Sequence, residues 1–584
     1  MSTSLIDADS VLTIDIGSIT TRAALFDVVD GRYRFLASGS APSTVNAPFN
    51  DVSEGIRTTL DRLQTVTGRV LIGPNERLII PSTADGSGVD IVAATLSAGP
   101  PLKVVIMGLL EDISLESARR VVTTTYAKIV DTLSLGDRRK VEERLDAIIR
   151  LRPDLILVTG GTEGGASQSV LKLLEAVGLA AHLMPEGQRP EVLFAGNQAL
   201  RDEVKATFEK LVPLHFATNV RPTLEYEQLE GAEYQLARIT RYVRSRQIPG
   251  VKELDDWTGG GLLPTPTAFS RIIRFWSKTF DSAKGVLGVD IGSSATSIAA
   301  AFEGELINRV YPQLGLGHGL KDYLDACRLE DVTRWLHLNL PDDAVSEYIH
   351  NKALYPASLP ATPEDLAIEQ ALARQAMRMA LRKTAASFPE KVMRYGPEVT
   401  PWFEPILAMG SVLTRAPNLP QAALMLLDGL QPSGITTLVL DQNHIAPSLG
   451  VIAAINPLLV VQVLESNTFL SLGTVISPVG EARPGTPILR LRMTYEGGSE
   501  TSVDIKQGML EVLQLPVGQS AELHLQPLHR YDVGMGGPGR GGRLRAVGGS
   551  LGVVVDARGR PLQLPKDPAL RRELIGKWRW MIGC

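Results

Sequence analysis

At 584 residues the chain is too long for one hydrophobic core, and about three to five domains are expected. A net charge of −5 and a pI near 6.0 exclude a global basic field, so nucleic acid is not an expected partner. Two cysteines, Cys327 and Cys584, exclude a disulfide framework or a cysteine-based zinc site and point to a reducing, cytoplasmic setting.

The first residues, MSTSLIDADS, carry no basic segment of the secretory type. Val11 to Phe26, VLTIDIGSITTRAALF, then reads as an apolar strand ending in Asp15, a Gly17-Ser18 turn, Thr20 and Thr21, and a second apolar strand. Glycine lets backbone amides approach an anion, hydroxyls add donors, and a carboxylate at the strand end holds Mg2+ through water. The pattern fits a nucleotide-phosphate hairpin. It equally fits an ordinary hairpin with a glycine turn.

Tyr33 to Ser38 supplies a third strand, and Val52, Ile56, Leu60 and Leu63 give Asp51 to Thr65 helical spacing. An apolar run then leads into the small polar loop Ser82 to Gly88, which contains Asp85. Lys103 to Leu109 is a strand; Ser114 to Tyr126 and Asp137 to Leu151 are helices, the latter stopped by Pro153. In Asp154 to Gly178 an apolar strand runs into a glycine-rich loop with Gly160 and Gly161, and a helix starts near Ser167. Strand, glycine loop and helix is the order that a phosphate or ribose site needs, and also that of a close strand–helix turn. The loop is neither GxGxxG nor GxxxxGKS. Glu191 to Asp202 repeats the pattern, and the alternation predicts an α/β layered fold. Trp257 to Phe269, WTGGGLLPTPTAF, reads as a linker or as a functional loop joining two lobes.

The opening motif then returns. Val286 to Ala301, VLGVDIGSSATSIAAA, carries Asp290, Gly292, Ser293, Ser294 and Thr296 between two strands, which implies an internal duplication. His318 lies in the glycine turn LGLGHGL, where a structural role is expected. Pro363 to Ser387 is a long amphipathic helix with Ile368, Leu372, Met379 and Leu381 toward its apolar face and Arg374, Arg378, Arg382 and Lys383 on a solvated side. Ile406 to Leu413, ILAMGSVL, is a strand ending at Gly410-Ser411, a turn suited to seat an adenosine. Ile445 to Leu464 contains Pro447, Asn456 and Pro457 and reads as core, not as a membrane span. From Thr468 onward, short period-two strands predict a β-rich region, with Arg540, Arg543, Arg545, Arg558 and Arg560 expected on a solvated rim.

Together DIGSITTR, STADGSG, PDLILVTGGTEGG, VLFAGN, TNVRP, LLPTP and VDIGSSATS resemble the glutamate mutase accessory family of MutL/GlmL type, within the actin/Hsp70/sugar-kinase ATPase superfamily. The resemblance spans roughly Val11 to Pro457 and implies two α/β lobes of RNase H-like, actin-like topology with nucleotide in a cleft. It places the first lobe at 1–255, the second at 256–465 and a C-terminal β-rich domain at 466–584. It makes Asp15 and Asp290 the catalytic carboxylates, Asp15 also the Mg2+ residue, and DIGSITTR and VDIGSSATS the two phosphate loops. ATP and Mg2+ are the implied cofactors. A protein partner, a cobalamin-dependent mutase, is implied as well, and self-association into a homo-oligomer is compatible. Where the family's second loop reads D-V-G-G-A-T-T-D, this chain has Ser293 at the second glycine and Ser297 at the last aspartate; Ser411 replaces the second glycine of the adenosine turn. Those departures point to an ATP-binding, chaperone-like accessory protein with weak or absent hydrolysis. The alternatives are a non-hydrolysing scaffold and a small-molecule kinase, for which Asp85 is the one candidate base.

Overall fold

The computed structural model describes residues 9–165, 167–281, 283–390, 392 and 395–584. The chain divides into two compact units, one comprising Ser10–Ala23 and Gly39–Thr267, the other built from Ala24–Ser38 and Ala268–Cys584.

The first unit holds two sheets. Strands β1 (Val11–Ile16), β2 (Thr20–Val29), β3 (Arg32–Pro42) and β4 (Ile91–Leu96) open the chain, and the division between units cuts β2 after Ala23 and β3 after Ser38. All six positions of β1 are buried, the mark of a central strand covered on both faces. Next come β5 (Leu102–Gly108), β6 (Ala127–Ser134), β7 (Leu155–Val158), β8 (Glu191–Phe194) and β9 (Leu214–Phe216). These five form a wholly parallel sheet of order β6-β5-β7-β8-β9. Period two sorts β5 between two cores: Val105 and Met107 face the helices Val141–Leu151, Ser167–Leu183 and Arg201–Phe208, while Val104 and Ile106 face Glu116–Val122 and Glu230–Gln247. Strand β10 (Leu263–Pro264) then pairs in parallel with β4, completing the order β3-β2-β1-β4-β10.

The second unit repeats that order. Strands β11 (Gly285–Ile291), β12 (Thr296–Phe302), β13 (Glu305–Tyr311), β14 (Phe403–Met409) and β15 (Gly434–Leu440) run β13-β12-β11-β14-β15, an antiparallel meander followed by two parallel strands. The duplication expected from the two DIGS motifs is therefore present in topology, and the order is that of the RNase H-like fold expected for both lobes. The helix Pro363–Ala385 covers this sheet. It starts with Pro363 after the Thr362/Asp365 capping box and buries Ile368, Leu372 and Leu381 with a row of alanines. Met379 is only partly buried against that core.

The C-terminal stretch joins the same sheet. Strand β16 (Leu470–Ser477) pairs antiparallel with β15. After β17 (Pro487–Tyr495) and β18 (Glu500–Lys506), strand β19 (Leu510–Leu513) pairs with the later strand β22 (Val553–Asp556), which itself lies parallel to β16. With β20 (Ser520–Pro527) and β21 (Gly542–Val547), strands β17 and β18 form a four-stranded antiparallel sheet of order β18-β17-β20-β21. The β-rich region thus extends the eight-stranded sheet as well as building its own, and the chain closes on the helix Pro568–Ile582.

Two basic residues expected on a solvated rim are in the core instead. Arg558 and Arg560 have wholly buried side chains that pair with Asp556, and Arg558 also binds Asp428 at 2.6 Å. Asp428 takes Arg374 as well, at 2.7 Å, so Arg374 also leaves the solvated side of its helix. Sequence spacing does not report such partners because they come from strands and helices far apart in the chain. Arg543 and Arg545 do lie exposed. No helix among the described residues is long and apolar enough to cross a membrane; Ile445 to Leu464 forms two short helices, Ile445–Ile452 and Pro457–Leu464.

Candidate functional site

Asp15 stands near the end of β1, opposite Thr95 of β4, and is 5% exposed. Its Oδ1 accepts hydrogen bonds from the Thr95 hydroxyl at 2.6 Å and the Thr265 hydroxyl at 2.9 Å. Its Oδ2 lies 3.9 Å from Arg22 Nη1. The Trp257 to Phe269 segment is therefore more than a linker: it supplies β10 and then Thr265. The turn after Asp15 is closed by a hydrogen bond from Gly17 N–H to Thr20 O at 3.0 Å, and a Cβ on Gly17 would meet that oxygen at 2.8 Å. The N–H groups of Ser18 and Ile19 have no acceptor among the described residues. Thr21 points elsewhere: its hydroxyl is buried near Gly55 of the helix Ser53–Thr67 and has no hydrogen-bond partner among the described residues.

The second hairpin reproduces this geometry in the other unit. Asp290 near the end of β11 faces Ser297 across the β11–β12 pair, and Gly292 N–H donates to Ala295 O at 2.9 Å. Ser293 and Ser294 likewise leave their N–H groups without an acceptor among the described residues. The side chains are more committed than in the first hairpin. Thr296 is buried and donates to Leu314 O at 2.7 Å, and Ser293 Oγ contacts His318 Nδ1 at 3.3 Å. The LGLGHGL segment wraps against the turn, with Leu316 N–H on Gly292 O and both Gly317 and Gly319 N–H on Ser293 O. A Cβ on Gly317 would fall 2.1 Å from Ser293 Oγ, which explains the small residues there. Burial, with a smaller effect of Lys321, lowers the His318 pKa and favours the neutral imidazole.

Gly410 follows β14, whose Met409 lies in register with Asp290. It has φ +113°, and a Cβ there would lie 2.3 Å from Ile291 O, so only glycine allows this approach beside the second hairpin. Ser411 starts the short helix Ser411–Thr414 and is exposed. Sequence reading missed Asp441, a buried carboxylate just after β15 that accepts from Ile445 N–H at 3.0 Å and Ala446 N–H at 2.7 Å. The signal was an aspartate four residues ahead of an apolar helix.

Gly160 and Gly161 lie on the parallel sheet, not on the sheet of Asp15. They form the turn after β7, at the point where chain order reverses between β5 and β7; crevices at such points bind ligands in open α/β sheets. Gly160 has φ +116° and packs on Leu109, and buried Asn219 ties the loop by donating to Gly161 O and to Glu163 Oε1. Asp85 sits exposed in its own turn, accepting from the Thr83 hydroxyl and Ser87 N–H. The first of these bonds is the larger cause of its lowered pKa, so it is a poor base.

Among the described residues no group of three or more His, Cys, Asp or Glu is placed to hold a metal. Mg2+ fits Asp15 only in the water-mediated manner usual at phosphate sites: Oδ1 is taken by two hydroxyls and Oδ2 keeps lone pairs open.

Two sheets of one order, each ending in an Asp-x-Gly-Ser hairpin with a pair of unpartnered amides, define a duplicated α/β protein of RNase H-like topology. The chain belongs to the family described as MutL protein, whose model matches residues 11–468. It is similar to Protein MutL of Clostridium tetanomorphum, with 24% identity over 399 residues covering 64% of this chain and 78% of that protein. Among solved structures it is similar to a nucleotide-free acetone carboxylase (14% identity, 86% of this chain and 81% of that one, TM-score 0.31). A second is a nucleotide-free diol dehydratase-reactivating factor (11% identity, 77% of this chain and 100% of that one, TM-score 0.30). Scores at that level carry no functional argument.

Proposed function

We propose that this chain binds ATP with Mg2+, each Asp-x-Gly-Ser hairpin being built to take a phosphate, and acts as an accessory protein on a partner enzyme, with little or no hydrolysis. The observation that carries the reading is the pair of unpartnered amides in each hairpin, at Ser18–Ile19 and at Ser293–Ser294, each just after a carboxylate. Such amides are phosphate ligands, and the hydroxyls of Ser18, Thr20 and Ser294 add donors beside them. Asp15 would hold the hydrated metal. Gly410 and Ser411 would border the adenosine, and the Gly160–Gly161 loop would take a phosphate or ribose group. ATP would favour the conformation that makes more of these contacts, and that difference in affinity is what the partner feels. The family resemblance makes a cobalamin-dependent mutase the proposed partner.

Weak turnover is inferred from two features of the second hairpin. Ser297, not a carboxylate, stands opposite Asp290, so one group able to orient water is missing. The Ser293 hydroxyl is already engaged by His318. These same features favour, as second reading, a nucleotide-binding scaffold without turnover.

Calorimetry of ATP with and without Mg2+, on wild type and Asp15→Ala, tests the proposal. Binding in the wild type and at least about tenfold weaker binding in the variant are expected. No heat in either protein would sink it. Phosphate release that depends on an added sugar or small acid would point to a kinase instead.

A further inference from the structure

The first unit holds a pocket lined by the end of β4, the β10 segment, the turn before β6 and the helix Glu230–Gln247. It measures about 360 Å3 counted to its open mouth, and Leu96, Ala98, Leu262 and Leu263 make much of its wall apolar. No carboxylate lines it.

Two polar groups in this wall are buried and underused. Thr125 is 2% exposed, and its hydroxyl makes no hydrogen bond with any described residue. Arg244 is 3% exposed; its Nη1 donates to Gln247 Oε1 at 2.9 Å and its Nη2 to Pro100 O, both neutral acceptors. Gly99 packs on the same guanidinium, where a Cβ would lie 2.9 Å from Nη1. The charge is thus held in place without an ion-pair partner among the described residues. Asp154, which favours that charge, is reached through Gln247, whose Nε2 donates to Asp154 Oδ1 at 2.7 Å. Burial outweighs Asp154 and Tyr126 and lowers the Arg244 pKa. Arg241, which also lines the pocket, already has Asp255 at 3.7 Å and donates to Gly260 O. One bound carboxylate would give the Arg244 guanidinium its counter-charge and the Thr125 hydroxyl its acceptor.

The pocket also touches the seat of Asp15. Leu96 and Ser97 follow Thr95, and Pro264 and Pro266 bracket Thr265, the two threonines whose hydroxyls hold Asp15 Oδ1. Ser97 N–H donates to Ile16 O at 2.9 Å, one residue past Asp15.

We propose that this pocket binds a small aliphatic monocarboxylate, with its carboxylate on Arg244 and Thr125 and its chain on the apolar wall, and that occupancy steadies Asp15 and strengthens binding of ATP with Mg2+. The site itself is independent of the nucleotide reading, and only the coupling rests on it. A monoanion matches the single guanidinium that lacks a counter-charge. A phosphate dianion would bring a second charge with no partner in an apolar wall.

Thermal unfolding of the full-length chain at constant ionic strength, in chloride, pentanoate or chloride with pentanamide, tests the site without nucleotide. Pentanoate is expected to raise the wild-type Tm, and pentanamide is not. In Arg244→Gln the pentanoate increment should vanish, with affinity about tenfold or more weaker. Thr125→Val keeps the shape and removes only a hydroxyl without a protein partner. Its Tm in chloride should stay level or rise, and its pentanoate affinity should fall about threefold or more, which keeps the test open should Arg244→Gln not fold. Equal pentanoate increments in wild type and in the folded variants would overturn the site, as would an equal increment with pentanamide. Calorimetry of ATP with Mg2+ in saturating pentanoate then reads the coupling: affinity about fivefold or more tighter is expected, and pentanoate affinity should rise by the same factor in saturating ATP. An unchanged ATP affinity would overturn the coupling. No ATP heat under any condition would sink the nucleotide reading and the coupling together, with the pentanoate increments still deciding the site.

Discussion

Thr265 donates its hydroxyl to Asp15 Oδ1 at 2.9 Å across a separation of 250 residues in sequence. Together with Thr95 it fixes the rotamer of the Asp15 carboxylate and leaves Oδ2 3.9 Å from Arg22 Nη1. Thr265→Val keeps the shape and removes the donor. A hydrogen bond to a charged group contributes about 1.5–3 kcal/mol, so urea unfolding should show a loss of that order. ATP affinity in the presence of Mg2+ should fall with it, and an unchanged affinity would show that Asp15 does not depend on this partner.

Gly410 has a stricter requirement. With φ +113° and Ile291 O only 2.3 Å from where a Cβ would sit, Gly410→Ala must move either β14 or the second hairpin. Strain of this kind costs about 1–3 kcal/mol. A drop in Tm together with weaker nucleotide binding is expected. A variant as stable as wild type would contradict the close approach.

The Arg374–Asp428–Arg558–Asp556–Arg560 network is a core element, not a rim. Burial pushes the Asp556 carboxyl up, but Arg558 and Arg560 outweigh it and hold the carboxyl well below the usual range. Arg558→Met would strip Asp556 and Asp428 of their shared partner, and breaking a buried pair in this way costs about 3–5 kcal/mol. Arg543→Met, on an exposed side chain, should change stability by no more than about 0.5 kcal/mol. Chemical denaturation of the two variants side by side reads the contrast directly.

His337 predicts the response to acid. Burial, then Arg579 and Arg374, bring its pKa down from 6.5 to about 4. Above pH 6.5 the ring is neutral in folded and unfolded chains alike, so the shift has no effect there. As pH falls from 6.5 toward 4 the unfolded chain takes up the proton first, and stability is lost across that window. His337→Gln should flatten the pH dependence of Tm between those limits; the same slope in both proteins would assign the effect to other groups.

Much of the molecule was legible from local pattern. Each DIGS motif couples an apolar strand, a glycine that only a tight turn tolerates and a second strand, all within about fifteen residues. Hydrophobic spacing and glycine sterics therefore reveal the hairpins and their duplication without tertiary information. The same holds for the strand–loop–helix at Gly160, although nothing local told that this loop sits on a different sheet from Asp15.

What the sequence determined by itself was the set of hairpins, the α/β alternation and the family. Tertiary structure alone decided who meets whom: Thr95 and Thr265 on Asp15, His318 beside Ser293, and Arg558 and Arg560 in the core. The physical reason is range. Strand period, glycine conformation and helix spacing act over a few residues, whereas the burial and pairing of a charge depend on elements that can lie hundreds of residues away.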